Sequence, residues 1–426
     1  VRQLRSSGWA GRLSASLRAI MSMRASTQFA HAGRLASSSV RITNVPVHRA
    51  STVLFDTLAE ADAKGRAVAT GDAHSSTYGT AGTPSTLALM DALAEIEGGG
   101  HDCAAALMPS GLAAITTALL ALVEPGEHVL VPDSVYGPTR AFCKGLLSRI
   151  GVEVTFYDPN IAAGIEALLK PKTRAIYLES PGSYTFEIQD VPAICAIARA
   201  RGIHTIIDNA WASPVFSRPF DWGVDCSVLP LTKYWSGHSD VLMGAVVARR
   251  EVWPRVWAMV RQLGQCVGGD DAYLILRGLR TAGVRMEQHQ ANALAVAHWL
   301  SARPEVVRVL HPALPSHPQH ALWKRDFTGA SGLFSFELSA QALGGMAAGF
   351  NKATAALCEG RRHFGIGYSW GGYESLIMPA RIEESRSVSP WKGGALIRIH
   401  VGLEDPRDLI ADLEEGFAAM ARVIAE

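Results

Sequence analysis

Short apolar runs alternate with longer stretches of helical spacing through the middle of the chain. CAAALM leads into SGLAAITTALLAL, and EHVLVPD is followed by the helix-like GPTRAFCKGLLSRIG. VEVTFYD, RAIYLES and HTIIDNA are further strand-sized runs, with the amphipathic VPAICAIARARG between the last two; GAVVARR adds one more. Strands alternating with helices of this length predict right-handed βαβ crossovers and a mainly parallel, buried sheet. The run Cys103–Val123 has 21 residues without a charge, long enough to resemble a membrane span. Pro109-Ser110-Gly111 interrupts it near the front, so it reads as a buried strand, a turn and a helix.

From about residue 281 the texture changes. A long helical stretch, RMEQHQANALAVAHWLSARPEV, is broken at Pro304, and two isolated strand candidates follow, GLFSFEL and ALIRIHVGLE. The last stretch, DPRDLIADLEEGFAAMARVIAE, opens with Asp405 before Pro406, an N-cap with proline at the first helical position. This pattern predicts a smaller α+β domain behind the larger one. Residues 24–82, rich in Ser, Thr, Gly and His, show little periodicity and read as an extended arm. The expected division is a leader (1–23), the arm (24–82), a large domain (83–280) and a C-terminal domain (281–426). No internal repeat is present.

Composition narrows the class. At 426 residues, 48 % hydrophobic and 19 % charged, the chain is long enough to bury large cores without staples. Lys and Arg number 40 against 39 Asp and Glu, but residues 1–50 hold eight arginines and no Lys, Asp or Glu. The remainder is mildly acidic, which argues against nucleic-acid binding and against an anionic membrane surface. Six cysteines stand at 103, 143, 195, 226, 266 and 358, none at metal-site or redox-pair spacing. They read as buried thiols of a reducing, cytoplasmic compartment. The Arg- and Ser-rich, acid-free residues 1–22 resemble an organelle transit peptide, but the preferred reading is a disordered tail or an over-extended gene start ahead of Met21 or Met23.

Three features carry chemistry. Lys233, in LPLTKYWSGHSDVLMGAVV, is flanked by apolar residues and glycines, a setting that can desolvate an amine for Schiff-base work. Alone it reads as a surface lysine. Asp208 ends the apolar run HTIID, where open α/β sheets bind ligands and where an acid can protonate a pyridine ring. Its plain alternative is a carboxylate capping the next turn. Ser110-Gly111-Leu112 opens a helix whose N-terminal N–H groups can approach a phosphate. Phosphate turn, acid and lysine in that order point to a pyridoxal 5'-phosphate site.

These residues sit in longer segments with a recognisable likeness. YGTAGTPSTLALMDALAEIEGG, VLVPDSVYGPT, YLESPGS, IIDNAWA, TKYWSGHSDVLMG, LRGLRTAGVRMEQH, HPALP, KRDFTGASGLFSFEL, YSWGGYESL and LIRIHVGLEDP stand in one order over residues 27–424. The chain resembles the trans-sulfuration (Cys/Met metabolism) family of pyridoxal-phosphate enzymes, above all its bacterial cystathionine β-lyase branch. The resemblance implies fold type I, like aspartate aminotransferase: a large domain with a mainly parallel seven-stranded sheet, plus a smaller α+β domain. It implies that Lys233 is the cofactor-linking lysine, that Asp208 pairs with the pyridine nitrogen and that Tyr136 stacks on the ring. Gly111 and Leu112 are expected to bind the phosphate through N–H groups, with the Thr232 hydroxyl helping. Tyr78 is expected to reach into a neighbouring subunit's site, so the active unit is at least a dimer and, by family habit, a tetramer. Ser369 and Arg398 are expected to hold the substrate α-carboxylate. Arg398 in the apolar LIRIHV independently suggests an anionic partner, since a buried guanidinium is costly.

Trp370, Tyr373 and Ser183 point to the β-lyase branch. The implied reaction is β-elimination of L-cystathionine to homocysteine, pyruvate and ammonia in methionine biosynthesis, with Lys233, Tyr136 and Tyr78 as proton-handling candidates. The sequence also departs from the family pattern. Thr80 stands where many members carry a phosphate-binding Arg, Pro230 where many use Ser, and Ala141 where some β-lyases have an acid. Those changes leave open a broader cysteine-S-conjugate β-lyase or cysteine desulfhydrase, or a γ-lyase or γ-synthase relative. A silent scaffold that keeps the fold is the alternative of another class.

Overall fold

The computed structural model describes residues 24–34, 42–72, 74–346, 349–382 and 385–426. The leader expected at 1–23 lies outside the described residues. The large domain is built on seven strands: β1 (Cys103–Met108), β2 (His128–Pro132), β3 (Glu153–Tyr157), β4 (Thr173–Glu179), β5 (His204–Asp208), β6 (Cys226–Leu229) and β7 (Gly244–Arg249). Their order is β1-β7-β6-β5-β4-β2-β3. Strands β3, β2, β4, β5 and β6 pair in parallel, and β7 runs antiparallel to both β6 and β1. The inner parallel strands β2, β4, β5 and β6 are largely buried on both faces because crossover helices cover them, whereas the edge strand β3 leaves Glu153 exposed. Ile206 and Ile207 of β5 are both fully buried, each contributing about 1.5–3 kcal/mol of apolar burial.

The uncharged run at Cys103–Val123 resolves into β1 and the helix Gly111–Leu122. Ser110 caps that helix, its hydroxyl accepting from Ala113 N–H at 3.1 Å. Among the described residues no helix is long and apolar enough to cross a membrane.

A second sheet follows, with β8 (Val306–Leu310), β9 (Leu333–Leu338), β10 (Phe364–Gly365), β11 (Ser375–Pro379) and β12 (Leu396–His400) in the order β10-β11-β12-β9-β8. Helices Ala282–Ser301 and Pro406–Ala425 pack against it through Ala293, Val296, Leu409, Leu413 and Phe417. Asp405 caps the last helix, accepting from Arg407 N–H at 2.9 Å.

The segment 24–82 differs from its extended reading. It contains helices Ala25–His31 and Leu58–Ala69. Phe29 and Ala32 are buried in the large core, Phe29 lying 6.0 Å from the Trp235 ring, and Arg280 ties down both of their carbonyls. Further along, the indole N–H groups of Trp253 and Trp257 donate to the carbonyls of Gly71 and Val68 at 2.8 and 2.7 Å. Helix Leu58–Ala69 buries only Val68, so no apolar stripe announces it.

Candidate active site

A cavity of about 370 Å³ opens where the carboxyl ends of β4 and β5, the helix Gly111–Leu122 and the small domain converge. This is the crevice at which open α/β sheets hold ligands. Asp208 closes β5 and lies in register with Glu179, the last residue of β4. Both carboxyls are buried in the cavity floor. Burial pushes Asp208 up to about 7, against the Ala210 N–H and the Lys233 charge. Burial, then the neighbouring Asp208, drives Glu179 well above the usual carboxylate range. Glu179 accepts from Tyr136 N–H at 2.8 Å and so fixes the turn that presents Tyr136. Asp208 Oδ1 is buried with no hydrogen-bond partner among the described residues.

Lys233 lies in the turn after β6. The Thr232 hydroxyl accepts from Met243 N–H at 3.0 Å, tying that turn to the start of β7. Lys233 Nζ donates to Ser369 Oγ at 2.8 Å and lies 4.8 Å from the Trp370 ring centroid. Burial, then the Arg398 charge, lowers its pKa to about 8, with Asp208 opposing. A sizeable share of the amine is therefore neutral near physiological pH.

Arg398 sits in the middle of β12 and is 8 % exposed. Its Nη2 donates to the carbonyls of Gly367 and Ser369 at 2.9 and 3.3 Å. Among the described residues no carboxylate pairs with it. Ser369 adopts φ 61°, an uncommon left-handed backbone for a serine. That bend turns its hydroxyl to Lys233 and its carbonyl to Arg398.

Gly111 and Leu112 form the first helical turn, where N–H groups lack intrahelical acceptors. A Cβ at Gly111 would come within 2.9 Å of the Pro230 side chain. Gly111, Leu112, Tyr136, Thr232, Trp370 and Pro230 all line the cavity. Tyr78 and Tyr373, 52 % and 56 % exposed, are outside its wall. Thr80 lies in the short turn Gly79–Ala81, and Ala141 is exposed on the helix Gly137–Phe142; neither lines it.

Glu179, Tyr184, Phe186, Trp211, Leu242 and Tyr368 line the cavity without having been singled out from the sequence. Glu179 had a readable signal: it ends an apolar strand in YLES just as Asp208 ends HTIID.

An unpartnered buried carboxylate oxygen, a neutralisable amine and an open helix N-terminus together fit pyridoxal phosphate. Fold and site define a pyridoxal-phosphate-dependent enzyme of fold type I. The chain belongs to the Cys/Met metabolism PLP-dependent enzyme family, whose sequence pattern matches residues 26–418. It is 49 % identical over 400 residues to a putative cystathionine beta-lyase of Rhizobium johnstonii, spanning 93 % of this chain and 96 % of that one. Cystathionine beta-lyase MetC of Escherichia coli is 42 % identical over 398 residues, 92 % of this chain and 98 % of the relative. Among solved structures, cystathionine gamma-lyase from Lactobacillus plantarum complexed with L-serine superposes with a TM-score of 0.82 at 30 % identity. That match covers 94 % of this chain and all of the other.

Proposed function

We propose that the chain is a carbon–sulfur lyase that cleaves L-cystathionine by β-elimination, releasing homocysteine, pyruvate and ammonia for methionine biosynthesis. The observation that carries this reading is one cavity that brings together the Lys233 amine, the buried Asp208 carboxyl and the Arg398 guanidinium, which has no carboxylate partner among the described residues. The similarity to cystathionine beta-lyases over nine-tenths of the chain supports the branch.

Pyridoxal phosphate, when bound, supplies the electron sink that makes the substrate Cα–H acidic. Asp208 would hold the ring nitrogen, the Gly111 and Leu112 N–H groups and the Thr232 hydroxyl would hold the phosphate, and Tyr136 would lie against the ring. Lys233 would anchor the cofactor, and its Nζ, when free and neutral, would take the substrate Cα proton. Lys233, or the Tyr136 or Tyr78 phenol, then protonates the departing sulfur. Arg398 orients the α-carboxylate through its planar fork, with Ser369 beside it. Trp370, in the cavity wall, would select the thioether substrate, whereas Tyr373 stands outside that wall.

The exposed Tyr78, together with Leu54 and Leu58 at 88 % and 91 % exposure, supports an arm that packs on a second copy and completes that copy's site. The active unit is then at least a dimer. Six free cysteines, five of them buried, support a cytoplasmic setting.

The deciding experiment incubates the cofactor-loaded protein with L-cystathionine and identifies the keto acid. Pyruvate is expected. 2-Oxobutyrate would mean γ-cleavage and overturn the proposal. A broader β-lyase is favoured by the aromatic and aliphatic mouth formed by Leu242, Tyr368 and Trp370. S-methyl-L-cysteine turned over as fast as cystathionine would establish that breadth.

A further inference from the structure

Tyr184 belongs to the turn that follows β4 and lines the cavity. It adopts φ 65°, and Phe186 two residues on adopts φ 57°. Left-handed backbone at two bulky residues persists where surrounding structure over-determines it. Phe186 N–H closes the turn onto the Gly182 carbonyl at 3.0 Å, and Gly182 N–H bonds to the Glu187 carbonyl at 2.9 Å. The small domain grips the turn from behind. Arg386, its side chain 4 % exposed, donates to the Thr185 hydroxyl and lies 3.4 Å from the Glu187 carboxylate.

This arrangement presents the tyrosine to Arg398, whose Cζ lies 5.9 Å from the ring centroid. Tyr136 lines the same cavity. Among the described residues no hydrogen bond ties down the Tyr184 hydroxyl. Among the described residues, all the hydrogen bonds of the Arg398 guanidinium are made by Nη2. The other donors of the fork remain for a ligand.

We propose that Tyr184 is a substrate-specificity residue whose phenolic O–H donates to the α-carboxylate held by Arg398. The proposal rests on the reading of Arg398 as the carboxylate anchor. A carboxylate has about four acceptor sites, and Arg398, with Nη2 committed within the protein, fills only part of them, so a neutral donor completes the set. Phenylalanine at this position keeps the ring, the packing and the turn, and removes only the donor.

The test is calorimetric titration of cofactor-loaded wild type and Tyr184→Phe with L-alanine and with L-alaninamide. Neither ligand has a β-leaving group, so the result does not depend on which thioether is the substrate. Wild type should prefer L-alanine. Tyr184→Phe should bind L-alanine on the order of ten-fold more weakly, as expected for a lost hydrogen bond to a charged group, and the amide equally well. Unchanged L-alanine affinity, or equal losses for both ligands, refutes the role of Tyr184 and leaves Arg398 as the anchor. A wild type that does not distinguish acid from amide overturns the anchor and this proposal with it.

Discussion

Asp133→Asn removes one charge, without a change of shape, where the two domains are stitched together. Asp133 follows β2, and its side chain is 0 % exposed. It accepts from Arg140 Nη1 at 2.9 Å and from the backbone N–H groups of Ser387, Val388 and Ser389 at 2.8–2.9 Å. Arg140, itself 6 % exposed at the side chain, lies over the Phe156 ring at 4.0 Å and donates to Ser387 Oγ at 2.6 Å. Burial disfavours the Asp133 charge, but the three N–H donors and the Ser387 hydroxyl outweigh it and hold the group well below the usual carboxylate range. Asparagine would offer one acceptor oxygen and turn an NH₂ toward other donors. Breaking a buried ion pair by removing one partner costs about 3–5 kcal/mol, a large part of a typical stability of about 5–15 kcal/mol.

Urea unfolding should therefore show Asp133→Asn at least about 3 kcal/mol less stable. Hydrogen exchange should accelerate at the amides of residues 387–389. Because Arg386 adjoins this strap and grips the Tyr184 turn, KM should rise more than kcat falls. The pH dependence has a definite sign. A depressed folded-state pKa contributes stability above the ordinary carboxylate pKa of about 4, lost as pH falls through the folded value. The variant should lack that acid-side loss. A stability change below about 1 kcal/mol, far under the buried-pair figure, with the 387–389 amides equally protected, would refute the reasoning.

Gly371 has φ 90°, and a Cβ there would lie 2.9 Å from Tyr234 N and 3.0 Å from Lys233 Cα. Gly371→Ala should destabilise by about 1–3 kcal/mol and displace the lysine turn, seen as lower kcat in steady-state kinetics; wild-type kinetics would exclude that contact as a constraint. Arg398→Lys loses the planar fork and should raise KM by about ten- to a hundred-fold, the equivalent of about 1.5–3 kcal/mol; an unchanged KM would remove Arg398 from the carboxylate subsite. Glu97 is fully buried, accepts from Asn209 and Ser227, and is pushed by burial up to about 7. A raised folded pKa means a contribution present below pH 4.5 and lost as pH rises through 7, worth about 3 kcal/mol. Unfolding midpoints of Glu97→Gln across that window should lack this decline; a slope equal to wild type would show that another group sets it.

Strands β1–β5, β7, β9 and β12 were legible because each is an apolar run bounded by turn residues. Strand β6, CSVL, is only four residues long and follows a loop without periodicity. Strand β8, VVRVL, is apolar but is interrupted by Arg308 and directly follows the break at Pro304, and β11, SLIMP, is a short apolar run ending in a proline, so each lacks a strand signal as long as the others. The helix Leu58–Ala69 was missed by periodicity, yet Thr57 with Glu60 is a visible cap: the Thr57 hydroxyl accepts from Glu60 N–H at 3.1 Å. Glu179 carries the same kind of local signal inside the cavity, a strand-end acid paired in register with Asp208.

Hydrophobic spacing is a local property, so it carries the succession of elements, the parallel character of the large sheet and the strand end at which Asp208 stands. The positions of Lys233, Gly111 and Leu112 on turns and a helix start are of the same kind. What no local pattern contains is which distant turns meet. Lys233 Nζ reaches Ser369 across 136 residues, Asp133 holds a strap more than 250 residues away, and Tyr184 faces Arg398. Those pairings exist because two separately formed cores dock and bury the polar loops between them. Burial then sets the chemistry, lowering Lys233 and raising Asp208, since a charge is desolvated only once the chain has closed around it.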